Sequence, residues 1–288
     1  MKNIVTIGKF EGMHLGHRAL LTELIHIANR KNLIPTTIIF DPHPYKLLHD
    51  STYKPLFTPH ERDGMLKKFG IQNIITLPFK KMANMEPICF CKELAQLADI
   101  VVVGENFRFG KDRKGTIETL LQFGFEIKTV GLRPDQNLNV LSTSKVRELL
   151  AESKLAEAAE MLGFSFFIEG IVTKGRQLGR VLGFPTLNIY PTKEKFLPAF
   201  GVYETRIYID GGEPLQGLTN VGLRPTVETA TSTISVETHI PTLIAKPNEM
   251  YNRHIKVDFI RFIRAERRFD STEELQVQIK KDIEELQK

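Results

Sequence analysis

Apolar residues fall into two textures along this 288-residue chain. In the first half, short aliphatic or β-branched runs alternate with stretches whose apolar residues recur at helical spacing. Asn3–Ile7, Thr36–Phe40, Ile71–Leu77, Asp99–Val103 and Phe125–Val130 read as strands. Leu15–Asn29, Pro59–Phe69, Pro87–Leu97 and Thr116–Phe123 read as helices. Such alternation predicts a parallel sheet wrapped by helices. A helical pattern continues through Lys145–Leu162 and stops at Gly163. Beyond it the texture turns β-rich: Phe166–Val172, Gly201–Ile209, Thr219–Val221, Thr233–Ile240 and Ile255–Arg264 are separated by Gly, Pro and Asn. Runs of strands without helices predict a small antiparallel barrel or sandwich. Ser271-Thr272-Glu273-Glu274 has the form of a capping box and opens a terminal helix. The expected organisation is an α/β domain over 1–163 and a β domain over 164–288.

Composition narrows this only a little. Hydrophobic residues at 42% and charged residues at 25% belong to folded domains rather than disordered chains. No apolar run approaches membrane-spanning length, and Met1–Val5 reads as a strand start rather than a signal peptide, so a cytoplasmic location is expected. Cys89 and Cys91 are the two cysteines; they exclude a disulfide framework and suit core packing. A net charge of +5 and a pI near 9.1 suit anionic small molecules such as nucleotides. The basic run Arg261–Arg268 is followed at once by acidic residues and reads as a solvated element end. With no basic stripe carrying interleaved aromatics, neither nucleic acid nor membrane is an expected partner.

The segment with the most chemistry is Gly8-Lys9-Phe10-Glu11-Gly12-Met13-His14-Leu15-Gly16-His17, between the first strand and the first helix. There α/β sheets bind ligands, glycines admit phosphates to backbone N–H groups, and a helix N-terminus adds positive potential. His14 and His17, three apart, share one face of a first helical turn, where two imidazole N–H groups can donate to phosphate oxygens. An ordinary glycine turn with two surface histidines is the competing reading. Position after a strand, together with the glycines, favours the phosphate site.

This segment resembles the G-x-F-D-G-x-H-x-G-H motif of the bacterial bifunctional FAD synthetase family, riboflavin kinase/FMN adenylyltransferase. Phe40-Asp41-Pro42-His43-Pro44, Gly104-Glu105-Asn106-Phe107-Arg108-Phe109-Gly110 and Leu141-Ser142-Thr143-Ser144-Lys145-Val146-Arg147 extend the likeness in order. The resemblance implies a Rossmann-like nucleotidyltransferase domain. In it FMN phosphate attacks the α-phosphorus of Mg·ATP, forming FAD and releasing pyrophosphate. His14 and His17 would stabilise the transferring phosphate, and Ser144 and Arg147 would hold the leaving phosphates. Gly8, Phe10, Gly12 and Gly16 would line the nucleotide site, with Asn106 and Phe107 near the flavin nucleotide. Glu11 stands where the family has Asp.

The likeness continues into the second half. Gly175-Arg176-Gln177-Leu178-Gly179-Arg180-Val181-Leu182-Gly183-Phe184-Pro185-Thr186-Leu187-Asn188 lacks helical period and is similar to the riboflavin kinase loop, with Leu187 for its usual Ala. Phe200–Tyr203, Asn220–Thr226 and Val236-Glu237-Thr238-His239 follow in order. The resemblance implies a riboflavin kinase-like β-barrel closed by the C-terminal helix. Gly179, Arg180 and Gly183 would wrap phosphates, Thr186 and Asn188 would bind Mg²⁺ with ATP, and Glu237 would take the proton of the ribityl 5′-hydroxyl. The expected ligands are riboflavin, FMN, ATP, FAD and pyrophosphate. Residues 240–252 depart from the family pattern by length and by two prolines. That leaves open a monofunctional FMN adenylyltransferase whose second domain is inactive or only binds flavin.

Overall fold

The computed structural model describes residues 3–45, 52–131, 141–175, 177–224, 233–243 and 247–286. They fold as two compact units, Met1–Thr143 and Ser144–Lys288.

The first unit is a five-stranded parallel sheet. Its strands are β1 (Asn3–Ile7), β2 (Ile34–Asp41), β3 (Asn73–Pro78), β4 (Ala98–Gly104) and β5 (Glu126–Val130), in the order β3-β2-β1-β4-β5. Around it lie α1 (Leu15–Lys31), α2 (Pro59–Phe69), α3 (Phe79–Ala83), α4 (Pro87–Ala95), α5 (Ile117–Phe123) and a 3₁₀ turn, Lys111–Arg113. The helix ends follow local chemistry. Thr58 and Thr116 each cap a helix through a reciprocal capping box, and Gly70 and Gly124 end those helices in the left-handed region. Val5, Ile7, Ile38, Val101 and Val103 bury one sheet face against Phe90, Leu94, Phe109 and Leu120. Burial of each such side chain is worth about 1.5–3 kcal/mol. The order of strands reverses between β1 and β4, so the loops after these two strands border the crevice where such sheets take ligands.

The second unit begins with α6 (Thr143–Ala151), whose first residue belongs to the first unit, and α7 (Leu155–Leu162). The sequence pattern reads as one helix from 145 to 162. The chain breaks it at Ser153, which is left-handed (φ 61°), while Lys154 N–H turns back to Leu149 O at 2.8 Å. α7 then packs on the sheet that follows.

That sheet has six antiparallel strands, β6 (Phe167–Ile171), β7 (Thr186–Ile189), β8 (Gly201–Ile209), β9 (Leu215–Arg224), β10 (Thr233–His239) and β11 (His254–Ala265), in the order β6-β11-β8-β9-β10-β7. It curls until its two ends meet at a single bridge, Thr173↔Asn188, where Thr173 N–H reaches Asn188 O at 2.8 Å. On one face the fully buried hydroxyls of Thr205, Thr219 and Thr238 form a chain across three strands, at 2.7 and 2.9 Å. The other face takes the C-terminal helix α9 (Thr272–Glu285), which begins at the Ser271 cap. Val202, Leu218, Ile263, Ile283 and Leu286 pack there. Arg264 makes a bidentate pair with the buried Asp282, its closest contact 2.7 Å. Glu274 reaches back to Asp270 N–H at 3.3 Å. The architecture is the parallel α/β unit, curled antiparallel sheet and terminal helix that the sequence predicts. The stretch 175–188, which reads as loop, adds a one-turn helix, α8 (Leu178–Val181), and the strand β7, and the first unit adds the short helix α3.

Candidate functional site

In the first unit the site grows out of the end of β1. His14 is the N-cap of α1, and its Nδ1 accepts from His17 N–H at 3.4 Å. Its remaining proton therefore sits on Nε2. The two rings are stacked, with centroids 3.9 Å apart and planes 20° from parallel. Phe10 is fully buried, and its ring supports His17 from 5.3 Å. Burial lowers the His14 imidazole to about 4, although its own backbone and Glu11 act in the opposite sense. Burial, then the charges of His14 and Lys9, hold His17 well below its ordinary value. Both rings are consequently neutral at pH 7 and act as hydrogen-bond groups rather than charges. His17 Nδ1 is buried with no hydrogen-bond partner among the described residues. Gly12 sits close against the start of α6: a Cβ there would lie 2.8 Å from Thr143 Oγ1, and the threonine would have to shift.

Glu11 takes its partners from outside the histidine turn. It is buried, accepting from Tyr53 Oη at 2.5 Å and Leu56 N–H at 3.0 Å, with His43 Nε2 3.0 Å away. Burial pushes its carboxyl upward, but hydrogen bonds from His43, Tyr53 and Leu56 outweigh this and hold it below its ordinary value. Glu11 thereby ties the turn to His43, Tyr53 and Leu56. Asn106 is exposed after β4, whereas Phe107 is half-buried and stacks on the core residue Phe109 at 5.7 Å. Gly8 and Gly16 keep their places in the turn and in the first turn of α1. Ser144 is exposed on α6, and the Arg147 guanidinium lies 4.5 Å over the Phe196 ring.

The second unit gathers its expected residues by strand pairing. Asn188 on β7 is directly opposite Glu237 on β10, and Thr186 is opposite His239. Because side chains alternate along strands, all four share one face, with Asn220 of β9 opposite Glu237 on the other side. Ser235, two residues earlier on that face, donates to Glu237 Oε1 at 3.3 Å. His239 Nδ1 donates to Pro185 O at 2.9 Å, and Phe184 meets its ring edge-on at 5.7 Å. Gly179 lets Phe184 O close over α8, since a Cβ there would lie 2.4 Å from that oxygen. Gly183 is left-handed (φ 88°), and Arg180 is exposed. Glu237, Thr186, Gly179 and His239 line a cavity of about 290 Å³, with Phe269, Leu275 and Ile279 opposite. That is near the size of a small-ligand pocket. Arg176 and residues 244–246 lie outside the described residues.

A cation has a fitting donor set here. Asn188 Oδ1 is buried and has no hydrogen-bond partner among the described residues, while Asn188 Nδ2 reaches Thr186 Oγ1 at 3.3 Å. An orphaned oxygen beside a hydroxyl suits a hard ion that takes its other ligands from phosphates and water. Among the described residues there is no cluster of three or more His, Cys, Asp or Glu side chains able to hold a metal ion without such help. Ser235 and the Arg264–Asp282 pair do not stand out in the sequence, and Asn220 appears there only as the first residue of a matching stretch. Period-two spacing from Glu237 would have found Ser235.

A parallel sheet with a histidine turn at its switch point, followed by an antiparallel sheet with a Thr/Asn/Glu face over a pocket, defines a nucleotide-using enzyme of two units. Residues 1–144 match the family described as FAD synthetase and residues 162–288 the family described as riboflavin kinase. The chain belongs to the bifunctional riboflavin kinase/FMN adenylyltransferase family. The family member of that name from Escherichia coli (strain K12) is 34% identical, over 97% of this chain and 90% of its own length. The one from Bacillus subtilis (strain 168) is 31% identical, over 99% and 91%. A crystal structure described as a macrolide-efflux protein from Streptococcus pneumoniae is 26% identical, with a TM-score of 0.84 over 98% of this chain and 93% of that one. Among the described residues no helix is long and apolar enough to cross a membrane.

Proposed function

We propose that this chain converts riboflavin to FAD in two ATP-dependent steps, residues 164–288 phosphorylating riboflavin and residues 1–163 adenylylating the FMN. The pairing of Asn188 with Glu237 carries the reading of the first step, since it sets a carboxylate beside an unsatisfied buried oxygen at a ligand-sized pocket. Glu237 removes the proton of the ribityl 5′-hydroxyl as that oxygen attacks the γ-phosphorus of ATP and ADP leaves. Ser235 orients the carboxylate. Gly179, Arg180 and Gly183 hold the phosphates. Thr186 and Asn188 hold Mg²⁺, which when bound neutralises phosphate charge. The departures over 240–252 lie outside the Thr186–Asn188–Glu237 face in sequence, and a match to both domain families supports two activities over one.

In the second step a phosphate oxygen of FMN attacks the α-phosphorus of ATP, and pyrophosphate leaves. His14 and His17, neutral and fixed, donate to the oxygens on which charge gathers, and the N-terminus of α1 adds its dipole. Gly8, Gly12 and Gly16 give phosphates room, and Phe10 acts from beneath by supporting His17. Ser144 and Arg147 serve the leaving phosphates, and Asn106 and Phe107 serve the flavin nucleotide, as the family resemblance implies. Both reactions need ATP and both cysteines are free, which suits the cytoplasm. The test is a pair of incubations with Mg²⁺ and ATP. FMN should give FAD and pyrophosphate, and riboflavin should give FMN and then FAD. No FAD from saturating FMN refutes the second step, and no FMN from riboflavin refutes the first.

A further inference from the structure

The strand β7 ends the six-stranded sheet and begins directly after Phe184-Pro185. Its ladder with β10 runs from Ile189↔Val236 to a last pair, Thr186↔His239. It cannot go further, because Pro185 has no N–H to offer a partner strand. The Pro185 carbonyl remains, and the His239 ring takes it, Nδ1 to O at 2.9 Å. A carbonyl only accepts, so Nδ1 carries the proton. Phe184 meets the same ring edge-on, with centroids 5.7 Å apart and planes at 88°. One side chain therefore holds both residues that precede Thr186.

Those residues carry a wall of the cavity. Phe184 N–H donates to Gly179 O at 2.7 Å, which couples α8 to Phe184. Gly179, Leu182, Phe184 and Thr186 all line the cavity, and so does the His239 ring. Among the described residues, side-chain hydrogen bonds tie the segment 177–185 to three other places. Gln177 Nε2 reaches Tyr251 Oη at 3.3 Å, Gln276 Nε2 reaches Leu182 O at 3.1 Å, and His239 reaches Pro185 O. Of the three, His239 alone stands on β10, two residues from Glu237 and on the same face. Backbone pairing fixes Asn188 opposite Glu237, but Thr186 sits at the end of the ladder, where strands open most readily. Phosphoryl transfer tolerates little slack there: reacting atoms must approach to about 3–3.5 Å, and a misplacement of about 1 Å can cost about 10²-fold.

We propose that His239 is a positioning residue for riboflavin phosphorylation: its Nδ1–H pins Pro185, and with it the Gly179–Thr186 wall, to the strand that carries Glu237. The role rests on the phosphorylation reading and deepens it, since it names the tie that keeps the ATP side of the pocket in register with the carboxylate.

The test uses the full chain with His239→Phe, which keeps a ring and loses the donor, and His239→Asn, which loses the ring and keeps an N–H one bond from Cγ. KM is read for Mg·ATP and for riboflavin in FMN formation. Hydrogen exchange at the Phe184 amide is read by NMR and needs no turnover. His239→Phe should raise KM for Mg·ATP about tenfold and quicken that exchange by a similar factor, the effect of one lost hydrogen bond. KM for riboflavin, and FAD formation from FMN, should stay as they were. His239→Asn should restore most of both losses. If the Phe variant does not fold, His239→Gln, whose amide lies one bond further out, takes its place. Equal losses in the donor-keeping and donor-lacking variants overturn the proposal, because ring bulk would then be what counts. A loss confined to riboflavin overturns it too, by making His239 a flavin contact, and so do unchanged values throughout. No FMN from the unaltered chain refutes the phosphorylation reading itself. The tie is then judged by exchange alone, and equal rates in all the chains overturn it.

Discussion

His14 begins the helix that holds it, and this decides both its tautomer and its charge. Because Nδ1 accepts the His17 N–H, the ring presents Nε2–H outward, and burial keeps it neutral down to about 4. A folded-state value below the ordinary 6.5 means that the unfolded chain binds more protons between those two values. Stability should accordingly fall as pH drops from about 6.5 towards 4, by up to about 1.4 kcal/mol per unit for each such histidine. Thermal melting across that range checks the slope, and His14→Asn should flatten it. His17→Ala should cut FAD formation from FMN by about 10²-fold or more, the usual scale for removing a donor to developing charge. Riboflavin phosphorylation by the same variant should stay at its original rate. The histidine pair as a candidate site was legible in its place after a strand together with the glycines. Their stacking was not, nor was the turning of Glu11 away towards Tyr53, because that contact joins residues 42 apart in the chain.

Among the elements, those with their own periodicity and caps were readable, and those made by a partner were not. The β1–α1 pair and the Ser271 cap of α9 announce themselves locally. β7 is four residues long inside a glycine-rich stretch, and its strand character comes from pairing with β10. α8 is a single turn, held where Phe184 N–H meets Gly179 O at 2.7 Å. The terminal helix α9 shows what pairing adds. Arg264 fixes it through Asp282, Gln216 holds Leu286 O at 2.9 Å, and Gln276 reaches Leu182 O at 3.1 Å. One wall of the pocket depends on those contacts. Asp282→Ala strands a partly buried guanidinium and should cost about 2–3 kcal/mol. In activity it should raise KM for riboflavin while leaving FAD formation from FMN unchanged. An equal loss in both assays would mean that the change unfolds more than the helix dock.

For the molecule as a whole, the chain forms two units, each with a complete sheet of its own, and the helical stretch 145–162 falls with the second. That arrangement predicts complementation between separately damaged chains. His17→Ala keeps phosphorylation, and Glu237→Gln keeps adenylyl transfer, so neither alone should turn riboflavin into FAD. An equimolar mixture of the two full-length variants should do so, with free FMN passing through solution between them. Failure of the mixture, with each variant active in its own half-reaction, would mean that FMN is not released. The net charge of +5 fits a protein whose substrates and products are largely phosphorylated anions.

The curled sheet closes at a seam one residue wide. Asn188 fastens it from the main chain, through its carbonyl to the Thr173 amide, while its side-chain oxygen meets no donor among the described residues. An ion or nucleotide that seizes that oxygen also hoops the staves of the barrel together. Deuterium uptake at the Thr173 amide should therefore slow as Mg²⁺ and ATP are raised, turning the enzyme's own fuel into the buckle of its fold.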